Sequence, residues 1–426
     1  MRSDFLLAVF LLAGSLLSGC SAEKKPYHKN ASSEQEPGAS IDSPSPHSEL
    51  PTAQAARIAA ALDRRQLSAQ VIMCGIDGRG KLGPDMRILL DECPAGGIML
   101  FKYNLDTSAD EIRRFISETS DFIAERTAVS CFDDNLEHDG KSVMRLAPFA
   151  AADHEGGSVS RFINGFASLP APGSYANLSH NDESAGIINK IEEDSFRAGA
   201  QIFSLGINVN FAPILEFLTE YNGDFLQDRS YGPDPAFVEE AAAAFMRGME
   251  KAGVLCAAKH FPGSAGKDPH RFLSILDADI DKLNYLAGPF IALIRSGQVR
   301  AVMAAHTLVP ARDRTQIASL SPAVLKGWLR DELKWTGIII CDDFSMTAAR
   351  GAGAAGLTAP ANSAAAAVRS LAAGADMVMA WPPDIRLTHR AIQNALADGS
   401  LPEDRLREAA GRIIREKIRM GLVNVE

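Results

Sequence analysis

Eight short apolar runs recur along this chain, and helix-like segments separate them. Each run is apolar on both faces, as a strand of a parallel sheet must be when helices cover both sides. Amphipathic segments such as "ADEIRRFISETSDFIAE" (109–125) and "PAFVEEAAAAFMRGMEKAG" (235–253) lie between the runs. The runs are 71–76, 96–101, 147–152, 207–211, 254–258, 301–305, 337–341 and 376–380. Eight repeated units of this kind favour an α/β fold, a (β/α)8 TIM barrel, over a doubly wound sheet.

Charged, imidazole or aromatic side chains directly follow five of these runs. In a barrel of parallel strands, the C-terminal ends of the strands meet at one mouth, where barrel enzymes hold their active sites. The residues are Asp153-His154-Glu155, Lys259-His260, His306, Asp342-Asp343 and Trp381. Any one of them could be a hydrogen-bonded structural residue, but their joint placement predicts one site at the mouth.

The composition allows one large folded domain and disfavours a nucleic-acid partner. The chain has 426 residues, of which 46% are hydrophobic, and barrels of this size fold as single domains. The formal net charge is −10 and the isoelectric point is about 5.5, so the surface repels a polyanion. We expect a single catalytic domain over residues 55–426.

The N-terminal segment predicts export and membrane attachment. Residues 1–19 combine an early arginine with an apolar run too short to span a bilayer, which is typical of a secretory signal peptide. The following "LSGC", ending at Cys20, resembles the lipobox of bacterial lipoproteins, in which that cysteine carries a lipid anchor. Residues 20–54 are rich in serine and proline and predict a disordered linker. We expect an extracytoplasmic lipoprotein, periplasmic or at the cell surface; the alternative is an ordinary signal peptide followed by a chance cysteine.

Three further features carry little chemistry. The five cysteines after Cys20 are odd in number and lack CxxC spacing, which indicates neither a zinc site nor a disulfide framework, and those that end strands are expected to be small buried residues. The polar segment 131–146 is interpreted as a solvated surface loop at the end of the barrel opposite the mouth. The chain closes with a long charged helix, after which we expect no further β-strand.

Six motifs resemble, in order, the glycoside hydrolase family 3 β-N-acetylglucosaminidases that consist of one barrel domain. They are "DHEGGSVSRF" (153–162), "NFAPILEF" (210–217), "DRSYG" (228–232), "KHFPG" (259–263), "AHTLVPARD" (305–313) and "CDDFSM" (341–346). The resemblance implies an exo-acting, retaining hydrolase of terminal β-linked N-acetylglucosamine that works through a covalent glycosyl-enzyme. Peptidoglycan- or chitin-derived fragments are then the expected substrates.

The resemblance also implies the catalytic groups. It assigns the nucleophile to Asp342, the first aspartate of "DD", although Asp343 could exchange roles with it. It assigns the acid/base to His270, oriented by Asp268, in a mobile loop. A carboxylate beside an imidazole favours the charged ring, so such a pair can donate a proton near neutral pH. Gly263, Ser264 and Gly266 are expected to give this loop its freedom.

By the same resemblance, the residues that bind the sugar are Asp153, Arg161, Arg229, Lys259 and His260. The pattern implies no metal and no cofactor. The chain departs from the family at four places: Ser264 and a shortened loop follow "KHFPG", Pro269 lies between Asp268 and His270, His154 replaces a usual glutamine, and Glu216 replaces a usual aspartate. These departures affect the acid/base assignment most, and the alternative acids are Glu155, Glu216 and His306.

Two other functions remain open at this point. A histidine acid/base does not repel phosphate as a carboxylate does, so a β-N-acetylglucosaminide phosphorylase is one alternative. A non-catalytic glycan-binding lipoprotein with a decayed barrel is the other. The presence of Asp342 together with Asp268 and His270 argues against decay, because a binding site needs no nucleophile.

Overall fold

The computed structural model describes residues 46–132, 141–162, 165–178, 184–266, 272–346 and 359–425. Its strands, in chain order, are β1 (Ile72–Gly75), β2 (Gly97–Met99), β3 (Val129–Phe132), β4 (Lys141–Leu146), β5 (Phe149–Ala152), β6 (Val209–Asn210), β7 (Leu255–Phe261), β8 (Ser274–Ile275), β9 (Ala301–Ala304), β10 (Thr307–Leu308), β11 (Ile338–Cys341), β12 (Val378–Ala380) and β13 (Val423–Val425).

Eight of these strands form one parallel barrel. Its strand order is β12-β1-β2-β5-β6-β7-β9-β11, and every neighbouring pair in that order is parallel. A bridge between Ile340 of β11 and Met377, next to β12, brings the two ends of the sheet together. The eight barrel strands are the eight apolar runs of the sequence, so the predicted (β/α)8 fold is confirmed.

The helices connect successive strands and pack around the barrel. They are α1 (Pro46–Ala61), α2 (Arg64–Gln70), α3 (Pro84–Glu92), α4 (Lys102–Leu105), α5 (Ala109–Arg126), α6 (Pro172–Leu178), α7 (Ser184–Ser204), α8 (Gly223–Leu226), α9 (Pro235–Lys251), α10 (Ile280–Leu286), α11 (Gly288–Arg295), α12 (Ala323–Glu332, of π type), α13 (Ala359–Ala373), α14 (Ile385–Asp398) and α15 (Glu403–Arg419). Helix α1 begins at Pro46, within the segment that the sequence predicts as linker.

A three-stranded antiparallel sheet lies at the end of the barrel opposite the mouth. Strand β4 pairs with both β3 and β13, and it ends just before β5 begins. Residues 131–132 and 141–146 belong to strands, so the interpretation of 131–146 as a surface loop was wrong for these residues. The expectation that no strand follows the last helix was also wrong, because β13 follows α15. In β4, Ser142, Met144 and Leu146 are buried while Val143 is exposed. This alternation is a strand signal, and the acidic residues before it obscured it.

A buried carboxylate fixes the base of β11, the strand that leads to Asp342. The side chain of Asp376 accepts a hydrogen bond from the backbone N–H of Ile339 at 2.9 Å and one from Arg330 of α12 at 2.5 Å. Its other oxygen accepts from Arg405 and Arg412 of α15, at 3.2 and 3.0 Å. Burial alone would raise the pKa of Asp376, but the three guanidinium groups lower it, so the carboxylate stays charged. The barrel base is thus tied to two helices.

The cysteines among the described residues are all buried and unbonded to one another: Cys74, Cys93, Cys131, Cys256 and Cys341. Burial raises the pKa of the Cys74 and Cys341 thiols to about 12, which keeps them protonated. The prediction that the strand-terminal cysteines are small buried residues is confirmed.

Candidate active site

Two carboxylates and three cations form one network at the mouth. The Lys259 ammonium of β7 lies 3.0 Å from Asp153 Oδ1 and 2.6 Å from Glu155 Oε1, just beyond β5. Arg229 binds Glu155 through two hydrogen bonds of 2.9 Å, and Arg161 Nη2 lies 2.5 Å from Asp153 Oδ2. The structure therefore brings together four residues predicted to bind the sugar, and it adds Glu155 at the centre of the network.

The charges of this network fix its protonation. Burial would raise the pKa of Asp153, but attraction by Lys259 and Arg161 outweighs it and lowers that pKa to about 2. Burial likewise opposes ionisation of Glu155, and Lys259 and Arg229 lower its pKa. In turn, the negative charges of Glu155 and Asp153 raise the pKa of Lys259 against the effect of burial. Both carboxylates are thus anions at neutral pH and accept hydrogen bonds only.

Unused donors of the network remain for a ligand. The Lys259 ammonium has three hydrogens, and the two carboxylates use two of them. The Nε of Arg161 is buried and has no hydrogen-bond partner among the described residues. A buried unpaired donor of this kind is costly, and a hydroxyl or carbonyl oxygen of a ligand would satisfy it.

The backbone that carries Asp153 is held in place by β6. Asn210 accepts a hydrogen bond from the His154 N–H and donates one to the His154 carbonyl, each at 2.9 Å. The His154 ring points elsewhere, with Nε2 2.6 Å from the Ala167 carbonyl. Burial lowers the pKa of His154 to about 4, so the ring is neutral at pH 7. His154 therefore supports the loop after β5 and offers no acid at neutral pH.

A second buried carboxylate joins the end of β7 to the loop after it. Glu216 Oε1 accepts from the His260 N–H at 3.1 Å and from His260 Nδ1 at 2.8 Å. Glu216 Oε2 accepts from the Ser264 N–H at 2.6 Å and from the Ser264 hydroxyl at 2.5 Å. Because Nδ1 donates, Nε2 of a neutral His260 ring is an acceptor for a sugar hydroxyl. His260 thus keeps its predicted place at the mouth, oriented by Glu216.

The two aspartates after β11 differ in what occupies their oxygens. Asp343 accepts from the Ser345 N–H at 2.7 Å with one oxygen and from the Ser345 hydroxyl at 2.5 Å with the other. Asp342 is half-buried, and its Oδ1 accepts from the backbone N–H of Asp343 at 2.8 Å. Both oxygens of Asp343 are therefore used in hydrogen bonds within its own turn, while Asp342 directly follows strand β11.

The three alternative acids named above are poorly suited to donate a proton. Glu155 and Glu216 both have lowered pKa values, the latter because His260 and Ser264 outweigh burial. His306 donates from Nε2 to the Asp343 carbonyl at 2.9 Å, and its Nδ1 lies 2.7 Å from the Ser319 hydroxyl. Burial lowers the pKa of His306 although Asp342 opposes this. Each of these groups is already deprotonated or engaged at neutral pH.

The predicted acid/base residues Asp268 and His270 lie outside the described residues, but both flanks of their loop are described. Ser264 is anchored to Glu216, which contradicts the expectation that it adds freedom. Gly266 has φ +53°, and a Cβ there would lie 2.2 Å from the Tyr221 carbonyl oxygen, so this position requires glycine. The Ala265 N–H donates to the Ser274 hydroxyl at 3.0 Å. The loop therefore leaves and returns at two fixed, adjacent points.

Comparison with known protein families identifies the family of this chain. The profile described as "Glycosyl hydrolase family 3 N terminal domain" matches residues 81–416. The chain belongs to glycosyl hydrolase family 3. Members of this family are enzymes that cleave glycosidic bonds, so the chain is a glycoside hydrolase with a (β/α)8 barrel.

Individual members of family 3 resemble the chain in sequence and fold. A β-hexosaminidase of Idiomarina loihiensis is 31% identical over 65% of this chain and 78% of its own length. A solved family 3 β-N-acetylglucosaminidase from Paenibacillus sp. FPU-7 is 29% identical, with a TM-score of 0.72 over 85% of this chain and 63% of that one. NagZ from Neisseria gonorrhoeae, solved with N-trifluoroacetyl-D-glucosamine, is 26% identical, with a TM-score of 0.62 over 80% of this chain and 88% of that one.

Sequence reasoning missed what Glu155 and Glu216 do in this family 3 barrel. Glu155 stands two residues after Asp153, where side chains on an extended segment share a side, and this spacing could have indicated a paired carboxylate. Glu216 was considered only as an acid. Its role depends on Ser264, a second departure from the family pattern, and the two contact each other directly.

Replacing Glu216 with glutamine should slow the enzyme about tenfold with every leaving group alike. The amide NH₂ would face donors of either His260 or Ser264, so the strand end and the loop would shift without loss of a proton donor. Steady-state kcat/KM for aryl glycosides of graded leaving-group pKa measures this. Ser264→Ala, which removes one of the four donors, is the matched milder variant. A loss confined to poor leaving groups would instead make Glu216 the acid.

The same substitution has a pH-dependent cost in stability. The lowered pKa of Glu216 means that its carboxylate stabilises the fold above its unfolded pKa, which is about 4.3. That contribution is lost as the pH falls through the folded pKa. Glu216→Gln should therefore have a lower Tm than the wild type at pH 7, and the difference should shrink towards pH 3. Thermal unfolding over this pH range is the measurement.

Proposed function

We propose that the chain is a retaining, exo-acting β-N-acetylglucosaminidase that hydrolyses terminal β-linked N-acetylglucosamine from peptidoglycan- or chitin-derived fragments. The observation that carries the proposal is the arrangement at the mouth: Asp342 follows strand β11 at the same end of the barrel as a polar network whose remaining donors suit sugar oxygens. The names of the related proteins, β-hexosaminidase and β-N-acetylglucosaminidase, support the choice of sugar.

The reaction follows from the roles of these groups. Asp342 attacks the anomeric carbon while the acid protonates the departing oxygen, which gives a glycosyl ester and a free alcohol. Water, deprotonated by the same group, then cleaves the ester and returns Asp342 to its ionised form. His270, oriented by Asp268, is our proposed acid/base, because Glu155, Glu216 and His306 are unsuited to that role.

Lys259, His260, Asp153 and Arg161 hold the hydroxyl and acetamido groups in this proposal. A site that hydrogen-bonds particular oxygens rejects sugars that lack them, since its buried polar groups would then stay unpaired. Arg229 acts through Glu155, to which it donates two hydrogen bonds. This refines its expected role from direct contact to positioning of the network.

Turnover of 4-nitrophenyl β-N-acetylglucosaminide, compared with the matching β-glucoside, tests the activity. We expect the N-acetylated sugar to be preferred by at least about 10²-fold in kcat/KM. Proton NMR of the first-formed product should show the β-anomer, as retention requires. Repeating the reaction in phosphate separates hydrolysis from phosphorolysis, since a phosphorylase would yield the sugar 1-phosphate. Equal turnover of the glucoside would contradict the assignment of the sugar.

We also propose that the enzyme is a lipoprotein anchored through Cys20, outside the cytoplasm, with the serine- and proline-rich segment after Cys20 joining the anchor to the barrel. Cys20 lies outside the described residues, and no helix in the described part of the chain is long and apolar enough to cross a membrane. The support is the "LSGC" motif after an apolar run.

Cys20→Ala should move the protein from the membrane fraction to the soluble fraction while kcat/KM stays unchanged, because none of the residues assigned to the reaction belongs to the tether. Fractionation of cells after a high-salt wash, with activity assayed in both fractions, is the measurement. Retention of the Cys20→Ala protein in membranes after the wash would contradict lipid anchoring.

A further inference from the structure

An aromatic cluster occupies the mouth beside the polar network. We define the aromatic wall as Phe101, Tyr103 and Trp381. Phe101 lies two residues after the end of β2, and Trp381 directly follows β12. The two rings meet edge to face with centroids 5.2 Å apart, and Tyr103 stacks on Phe101 at 5.8 Å with an interplanar angle of 9°. The Tyr103 hydroxyl donates to the Ile76 carbonyl, which fixes the outer ring.

A glycine creates the space for this wall. Strand β1 lies between β12 and β2, and it ends at Gly75. A Cβ on Gly75 would lie 2.4 Å from Trp381 Cε3 and 3.6 Å from Phe101 Cε2. Trp381 and Phe101 can therefore meet across β1 only because that position has no side chain. The contact is built into the strand ends and is not a chance approach of surface loops.

Along one arc of the barrel, the aromatic wall lies between the strand end that carries Asp342 and the strand end that carries Asp153. Around the barrel the strands run β11, β12, β1, β2, β5, so Asp342 after β11 and Asp153 after β5 flank the arc that the wall covers. The Arg161 guanidinium, which binds Asp153, lies 5.9 Å from the centre of the Phe101 ring. The wall therefore reaches the network directly, and Trp381 is its member on the strand next to Asp342.

We propose that the ring of Trp381, supported by Phe101, packs against the apolar face of the N-acetylglucosamine that is attacked by Asp342. Half-buried aromatic rings next to a few polar groups are what a pyranose requires, since its C–H face is apolar and its edge carries hydroxyl groups. The inference rests on the proposed function and assigns a substrate-binding residue that lies outside the six family motifs. Tyr103, about half exposed, extends the wall towards solvent.

Tryptophan fluorescence provides a readout that does not depend on turnover. The chain has three tryptophans. Trp328 and Trp335 are buried. Trp335, just before β11, donates to the carbonyl of Val299, just before β9, at the end of the barrel opposite the mouth. Free N-acetyl-D-glucosamine should change the emission of the wild type and of Trp335→Phe, and it should leave the emission of Trp381→Phe unchanged. A ligand-dependent change that persists in Trp381→Phe would overturn the proposal.

Inhibition kinetics supply the second measurement. Trp381→Ala should raise KM and the inhibition constant of N-acetyl-D-glucosamine about tenfold, while Trp381→Phe, which keeps a ring, should raise them about twofold. Gly75→Ala, which displaces the ring without removing it, should act in the same direction and add little to Trp381→Ala. Unchanged inhibition constants in Trp381→Ala would overturn the proposed role of Trp381 and leave the proposed function standing. A wild type that neither binds the free sugar nor cleaves its glycosides would overturn the proposed function as well.

Discussion

Replacing Asp342 with asparagine is expected to lower kcat by about 10⁴-fold or more for every leaving group, because an amide cannot form the glycosyl ester. The effect is independent of the leaving group since no later step can occur without the intermediate. Steady-state assays with aryl and saccharide substrates measure the loss. A 5-fluoro N-acetylglucosamine-type inactivator, followed by peptide mass spectrometry, should place the covalent label on Asp342 of the wild type.

Asp343→Asn is the matched control for this experiment. Both oxygens of Asp343 accept hydrogen bonds from Ser345, so its loss should disturb the turn and cost far less than the loss of Asp342. A Tm measured for both variants separates inactivity from unfolding. A label found on Asp343, with the larger loss in Asp343→Asn, would reverse the two roles.

Replacing His270 with alanine is expected to slow substrates with poor leaving groups by about 10²- to 10⁴-fold and to spare the first step for good ones. A good leaving group departs without a proton, whereas an alcohol does not. Hydrolysis of the ester still needs a base, so the intermediate should accumulate and an activated substrate should give a burst of product. Rapid-mixing assays with 2,4-dinitrophenyl and unactivated glycosides are the measurement.

Asp268→Ala should change the same quantities in the same direction, because the imidazole would lose the carboxylate that orients it. Azide, a nucleophile that needs no base, should restore turnover of the activated substrate by both variants and yield the glycosyl azide. Glu216→Gln serves as the comparison, since it should slow all leaving groups equally. If His270→Ala also slowed them equally and azide had no effect, the loop would be a structural clamp and not the acid/base.

The strands and the position of the mouth were predictable because they depend on local patterns. Each barrel strand is a short apolar run, and parallel strands place whatever follows them at one end. Asp153, Lys259 and Asp342 were therefore identified as neighbours before any contact was known. Strands β3 and β4 were missed because each covers only a few residues and the sequence between them is acidic. Strand β13 was missed because a strand of three residues gives almost no periodic signal.

The particular pairings at the mouth were decided only by the tertiary structure. Lys259 binds Asp153 across 106 positions of the chain, and nothing in either local sequence specifies which carboxylate the ammonium reaches. Glu216 was interpreted as a possible acid, yet four hydrogen bonds from His260 and Ser264 make it an ionised anchor. Protonation state depends on burial and on charges a few ångströms away, and these distances arise only when distant segments pack together.

The sequence by itself determined the barrel, the order of its strands and the residue types at its mouth, because hydrophobic periodicity and strand ends are local properties. The tertiary structure decided which of those residues are paired, which keep unused donors, and that Trp381 and Phe101 meet across Gly75. The physical reason is the range of the interactions. Secondary structure depends on residues that are neighbours in the sequence, whereas charge pairing and ring packing act between strands that only the closure of the barrel brings together.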